Sequence, residues 1–408
     1  MSRVMLVCPE PLGHGQPAGI GIRFVEMARV LAADSHEVTA LSPGGGTLRD
    51  CRCEELSPEN LAVVGNRSDV AIVQGHAAND LFAHARPLPT VVDLYDPFIV
   101  ENLHYFHDRG AEVFTHDHAT LMQSLLRGDL FLCASESQRL FYLGMLLATG
   151  RLNPAVFDAD PDLRGLVRIV PFGVQAARPV PRRDADHPAV LFGGIYDWYD
   201  PILAIDAVAL ARTTLPSLTL TFTRHPNPDL TPQGKAAEAM RHVKTKRYES
   251  FVRFEPWSAY DDRGTFFDRF TLAVLTFPQS LETELSMRTR IYDYLWGALP
   301  VISSRAPGTA DLLSKYGAGI TIEEHSAEAF ASVLKAILRD RARYEDLVSG
   351  TRTFVREHQW ERVLQPLIEF CRSPRVDETK ETFAAHLQVP ERPPSILDRI
   401  KRRIGGRT

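Results

Sequence analysis

The densest polar chemistry in the chain runs from Ser280 to Asp293. Carboxylates at Glu282, Glu284 and Asp293 alternate there with guanidinium groups at Arg288 and Arg290, and hydroxyls at Thr283 and Ser286 lie between them. Groups this crowded are costly to bury unpaired. They suit a hydroxyl-rich, anionic ligand: carboxylates accept from sugar hydroxyls, and guanidinium groups hold phosphate oxygens. The alternative is a self-satisfied network, with Glu282 and Asp293 set against Arg288 and Arg290.

Six other stretches carry groups of the same kind. Gly19-Ile20-Gly21 places bare backbone at a helix start, where N–H groups and the dipole favour an anion, and Arg23 lies one turn inside. Asp93-Leu94-Tyr95-Asp96-Pro97 puts two carboxylates near a strand end, either to meet a substrate hydroxyl or, for Asp96, to cap a helix beginning at Pro97. Gly193-Gly194 lets a ligand approach the backbone, ahead of a helix starting near Pro201. Arg224 leaves the next strand as a phosphate partner, and Trp257 leaves the following one as a surface for a planar base. Gly13-x-Gly15-x-x-Ala18 fits a dinucleotide fingerprint, but the second strand ends Leu41-Ser42-Pro43-Gly44 without the acid that would hold a ribose.

These groups need a scaffold, and hydrophobic patterning supplies one. Short β-rich runs at Val4–Cys8, Glu37–Leu41, Val70–Val73, Thr90–Leu94, Leu130–Ala134 and Val167–Val170 alternate with helical patterns at Ile20–Ala33, Pro97–Asp108, Asp117–Leu126 and Glu136–Thr149. Such alternation implies right-handed crossovers and a parallel sheet covered on both faces. A second series follows at Ala189–Phe192, Leu218–Phe222, Val252–Phe254, Leu272–Thr276, Val301–Ser303 and Ile320–Ile322, and a helical stretch spans Trp360–Cys371. Residues 176–188 have neither period and read as a linker. The expected architecture is α/β: two Rossmann-like doubly wound domains facing across a cleft, residues 1–175 and 189–372, with 373–408 as a terminal segment.

Composition narrows the function classes. The chain has 408 residues, 44% of them hydrophobic and 24% charged, enough for two cores. Forty-six Lys and Arg against 51 Asp and Glu give a net charge of −5, without a basic field to hold nucleic acid. Five cysteines without a C-x-x-C pair argue against a disulfide framework or zinc site, and Cys51 and Cys53 are expected in a loop. No run approaches a membrane-spanning length, and a cytoplasmic protein is expected. The end of the chain differs: Ile396, Leu397, Ile400 and Ile404 recur at helical spacing among Arg399, Lys401, Arg402, Arg403 and Arg407, a pattern for weak peripheral contact with anionic membrane.

Taken in order, the Gly19–Arg23 loop, the Asp93–Pro97 segment, Cys133-Ala134-Ser135-Glu136-Ser137-Gln138-Arg139, Val170-Pro171-Phe172-Gly173-Val174 and the strand-to-helix cluster ending in Gly297-x-x-Pro300 resemble a GT-B glycosyltransferase of the retaining family 4 type. The resemblance runs to about residue 372. It implies an amino-terminal domain that takes the acceptor, a carboxyl-terminal domain that binds a nucleotide-sugar, and last helices that cross back. Two positions depart from the family pattern. Of the acid pair eight residues apart, the second member falls on Asp293 and the first on Leu285, with Glu282 and Glu284 nearby. The Arg and Lys usual after the first carboxyl-domain strand are replaced by Tyr196, Asp197, Trp198 and Asp200. The histidine often found at the end of the fourth strand is represented here by the Asp93–Asp96 segment.

The resemblance implies transfer of a sugar from a nucleotide-sugar to a hydroxyl of a glycan, lipid-linked or small acceptor, with retention and without a cofactor or metal. Catalytic roles then fall to Glu282, Asp96 and Arg288. Donor binding falls to Gly19, Gly21, Arg23, Gly193, Gly194, Arg224, Trp257, Thr283, Ser286, Arg290 and Asp293, and acceptor binding to Asp93 and Tyr95. A nucleotide-sugar epimerase, a degenerate nucleotide-sugar-binding subunit and an NAD-dependent oxidoreductase are the alternatives.

Overall fold

The computed structural model describes residues 1–13, 19–103, 110–178, 186–224, 233–259 and 262–380. The basic stretch Ser395–Thr408 and most of the linker expected at 176–188 lie outside them.

Two sheets carry the fold. The first holds β1 (Arg3–Val7), β2 (Glu37–Ser42), β3 (Gly46–Thr47), β4 (Arg52–Glu55), β5 (Val70–Gln74), β6 (Thr90–Asp93), β7 (Leu130–Cys133) and β8 (Val167–Ile169), in the order β3-β4-β2-β1-β5-β6-β7-β8. All pairs are parallel except β3 with β4. The second holds β9 (Ala189–Gly194), β10 (Thr219–Thr223), β11 (Val252–Glu255), β12 (Leu272–Leu275), β13 (Val301–Ser304) and β14 (Gly319–Ile322), in the order β11-β10-β9-β12-β13-β14, entirely parallel. Central strands such as β5 and β12 are buried at every position. Their uninterrupted Val, Ile, Ala and Leu runs are what a parallel sheet covered on both faces requires.

The expected strands are all present, and β3 and β4 are additional. Cys53 therefore sits buried on β4 rather than in a loop, with Cys51 half-buried just before it. The pattern placed at Pro97–Asp108 begins at Phe98, with Pro97 as the preceding cap and a described helix of Phe98–Asn102. Asp96 thus does not cap it. The helix sought at Asp117–Leu126 extends over Ala111–Arg127.

Each sheet reverses the order of its parallel strands at a central strand. In the first, β1 has β2 on one side and β5 on the other; in the second, β9 lies between β10 and β12. Such a switch point opens a crevice beyond the carboxyl ends of the strands, where doubly wound folds take ligands.

The chain crosses between domains near Gly173. Trp296 Nε1 donates to the Ala176 carbonyl at 3.1 Å, and Arg178 forms a two-pronged pair with Asp268 at 2.6 and 2.7 Å, so the chain already lies on the second domain by 176. The return starts at His358–Trp360, earlier than the boundary placed at residue 372. Val174 N–H donates to the His358 carbonyl at 2.7 Å, and Trp360 N–H to the Val174 carbonyl at 3.2 Å. The helices Trp360–Val363 and Gln365–Arg372 then dock on the first domain through Arg29–Glu361 and Arg372–Asp34. Gly173 is required at the crossing, because a Cβ there would lie 2.3 Å from the Trp360 ring.

Candidate active site

A pocket open to solvent lies beyond the carboxyl end of β9. Its position follows from local backbone chemistry. The β9–β10 register shifts between Thr221 and Phe222, and Gly193 takes φ +83°, which only glycine adopts without strain. The strand end turns so that Gly194 lies bare between Trp257 and Arg290, each 3.4 Å from where its Cβ would stand. Leu191, Phe266, Phe267 and Tyr294 add apolar wall, and Ile22 of the Gly19–Ala33 helix reaches in from the other domain. Asp293 closes the pocket beside Arg263 Nε, at 3.2 Å. Burial pushes the Asp293 carboxyl up from its ordinary range, and Arg263 opposes the shift.

Arg290 is positioned in part by Tyr196, one of the residues that stand where the resemblance leads one to expect Arg and Lys, and both Arg288 and Arg290 pack against the neighbouring Tyr199. Arg290 lies over the Tyr196 and Tyr199 rings, 5.0 and 5.3 Å from their centroids, and donates to the Gly194 carbonyl. Arg288 lies over Tyr199 and Phe277 at 5.3 and 5.1 Å. Aromatic faces attract such cations electrostatically. The positive charge that the first loop of this domain lacks is thus carried by the strand-to-helix cluster and packed against that loop's rings.

The remaining residues singled out in the sequence divide sharply. Glu282 and Arg288 are buried and form a bidentate ion pair with each other. Arg290 and Asp293 do not pair with each other, so the self-satisfied network forms at one of its two expected links. Thr283 turns its hydroxyl to the Pro278 carbonyl at 2.9 Å, and Ser280 caps the helix Leu281–Leu285. Leu285, in the position of the family's first acid, is buried. Arg224 is exposed at the end of β10 and outside the pocket lining.

Arg23 and Asp93 require correction. They form a fully buried pair at 2.6 Å, and the Arg23 guanidinium also donates to the carbonyls of Val170 and Pro171 at 3.0 Å. Every direction of the guanidinium fork is thereby engaged with protein, so it ties the first helix to β6 and to the chain leaving β8. Neither group faces the cleft. Tyr95 is buried and reaches the carboxyl-terminal domain, its hydroxyl donating to the Met287 carbonyl at 3.3 Å. The helix at Pro201 has its own cap: Asp200 accepts from Leu203 N–H at 3.1 Å.

Two helix starts face each other across the cleft. A Cβ on Gly19 would lie 3.6 Å from the Thr289 side chain at the start of the helix Thr289–Trp296. Gly21 N–H donates to Glu10 Oε2 at 2.8 Å, so a carboxylate already occupies one donor of the first helix. Beside them the two domains meet through Ser286, whose hydroxyl donates to Glu101 Oε1 at 3.2 Å. Glu101 hydrogen-bonds Asp96, and burial with neighbouring carboxylates raises both: Asp96 to about 6, Glu101 well above the usual range. Sequence reasoning missed Glu101, Tyr199 and Arg263. Glu101 stands five residues after Asp96 in a helical pattern, a usable signal, whereas Arg263 had none.

Solved structures share this architecture. HepE of Anabaena in complex with UDP and glucose matches with a TM-score of 0.65 at 13% identity over 91% of this chain and 100% of its own. The fold is GT-B. Sucrose-phosphate synthase of Thermosynechococcus elongatus matches with a TM-score of 0.65 at 14% identity, over 91% of this chain and 98% of its own. WaaG, a glycosyltransferase involved in lipopolysaccharide biosynthesis, matches at 0.61 and 13%, over 91% and 100%. No protein-family model and no curated protein matches the chain. No helix among the described residues is long and apolar enough to cross a membrane.

Proposed function

We propose that the chain is a glycosyltransferase that moves a sugar from a nucleotide-sugar to a hydroxyl acceptor. One observation carries this reading: the pocket at the β9 switch point joins an apolar slot beside Trp257 and bare Gly193-Gly194 backbone to the Arg290 guanidinium. In this reading a planar base lies against Trp257, Asp293 takes ribose hydroxyls, and a diphosphate extends toward Arg290 and the Thr289 and Gly19 helix starts. The GT-B fold supports it, since HepE has been solved with UDP and glucose in that architecture.

In this reading the arginines supply positive charge to the leaving diphosphate as the glycosidic bond breaks, and no metal ion is invoked. Charge fixed beforehand on aromatic faces needs no reorganisation at the moment of reaction. Glu282, buried and paired with Arg288, accepts from donor sugar hydroxyls once that pair opens. Asp96 lies on the acceptor side. Retention of configuration is carried over from the resemblance to family 4 enzymes, and the acceptor is taken to be a glycan or a lipid-linked hydroxyl, met at the cytoplasmic face of a membrane.

Incubation of the purified protein with a panel of nucleotide-sugars, with free nucleotide followed over time, tests the reading. Slow release of nucleoside diphosphate supports a transferase. Isomerised sugar would support an epimerase, and binding without turnover a non-enzymatic subunit.

A further inference from the structure

The amino-terminal sheet has its own switch point, between β1 and β5, and the second residue beyond β5 there is a histidine. Gly75 at φ +57° turns the chain after Gln74, and His76 follows at the start of the helix Ala77–His84. His76 Nε2 lies 2.7 Å from Asp117 Oδ1, and Asn102 Nδ2 donates to Asp117 Oδ2 at 2.7 Å. Asp117 is 1% exposed, whereas the His76 side chain is 44% exposed. A buried carboxylate receiving two donors fixes the proton of a neutral imidazole on Nε2 and leaves Nδ1 as an acceptor. The ring is also held in place: His116 stacks on it at 5.1 Å and 8°, and Phe98 leans on it at 5.1 Å.

The helix Phe98–Asn102 connects this group to the cleft. Asn102 binds Asp117, while the preceding Glu101 accepts from Ser286 of the other domain. The oriented imidazole is therefore one short helix away from the proposed donor site, on the domain opposite it.

We propose that His76, oriented by Asp117 and Asn102, is a binding group for a hydroxyl of a sugar-ring acceptor. Nδ1 accepts the hydroxyl hydrogen, and the Phe98 and His116 rings offer apolar faces to the ring. This rests on the glycosyltransferase reading for its role but not for its test.

The full chain labelled with ¹⁵N-histidine is the sample, with His76→Ala to assign the signal. Long-range ¹H–¹⁵N spectra read the protonated nitrogen, which is expected to be Nε2 in the unmodified chain and to lose that preference in Asp117→Asn. With UDP present, millimolar methyl glycosides of common hexoses are expected to shift the His76 Nδ1 resonance. Absence of any shift across that series overturns the proposal. On whichever glycoside is glycosylated, His76→Ala is expected to raise the acceptor KM about tenfold, the worth of one hydrogen bond, with kcat largely kept. A fall in kcat at constant KM would make the group a structural pin for the 98–102 helix and would also overturn it. If the unmodified chain turns over no nucleotide-sugar, the glycosyltransferase reading fails, and the resonance shift still decides whether His76 binds a sugar hydroxyl.

Discussion

In the proposed nucleotide-sugar reading, Arg290 is the group whose removal separates phosphate recognition from everything else in the pocket. Its guanidinium lies over Tyr196 and Tyr199 and donates to the Gly194 carbonyl, so Arg290→Ala removes a cation from a partly apolar wall and leaves that carbonyl without its donor. Both ligands of a paired measurement feel the lost carbonyl contact, but only one carries phosphate. A hydrogen bond to a charged group is worth about 1.5–3 kcal/mol. UDP affinity should therefore fall about 10- to 150-fold, at 1.4 kcal/mol per decade, while uridine affinity changes by a factor of a few. Titration calorimetry with UDP and with uridine measures the two losses directly. Arg290→Lys should fall between the variants, because an ammonium keeps the charge but loses the planar fork that reaches Gly194 and a phosphate together. Equal losses for UDP and uridine would show that Arg290 only shapes the pocket, and the assignment of the diphosphate to this wall would fail.

Three further outcomes follow from the same geometry. Arg288→Ala strands the buried Glu282 carboxylate and should cost about 3–5 kcal/mol in denaturant unfolding, most of it regained in Glu282→Leu/Arg288→Met; an unchanged midpoint for the single variant would contradict the buried pair. Asp96, pushed up to about 6 from an ordinary carboxyl value, binds more proton folded than unfolded, so its contribution makes stability fall as pH rises from about 4 to 6. Asp96→Asn should flatten that fall and stabilise the protein at neutral pH, as read from urea midpoints across the window. Gly173→Ala places a methyl 2.3 Å from the Trp360 ring and should cost about 1–3 kcal/mol, with faster proteolysis at the crossing than in the unmodified chain.

The strands and their order of appearance were legible because parallel strands buried on both faces must be short apolar runs, and Val70–Gln74 or Leu272–Leu275 cannot be much else. β3 and β4 escaped for the converse reason: Arg52, Glu54 and Glu55 edge the sheet with one side toward water, and two to four such residues carry no period. The Trp360–Cys371 pattern divides at Leu364, where Pro366 opens a second helix, and its docking on the first domain depends on contacts more than 300 residues away in sequence.

The site shows the same division. That Gly19, Gly193, Trp257 and the Ser280–Asp293 cluster stand at strand ends followed from the alternation alone, since a doubly wound sheet delivers those positions to one edge. Which charge meets which did not. Arg23 carries the same groups as Arg290, yet one is sealed against Asp93, 70 residues on, and the other is spread over tyrosine rings at the pocket wall. Ion pairing depends on distance and burial, and these are set by how helices cross the sheets rather than by residue type or spacing. The sequence by itself thus determined the two sheets, their facing edges and the stock of charges there. Only the tertiary structure decided that Glu282 takes Arg288, that Asp93 takes Arg23, and that Glu101 and His76 stand beside the cleft.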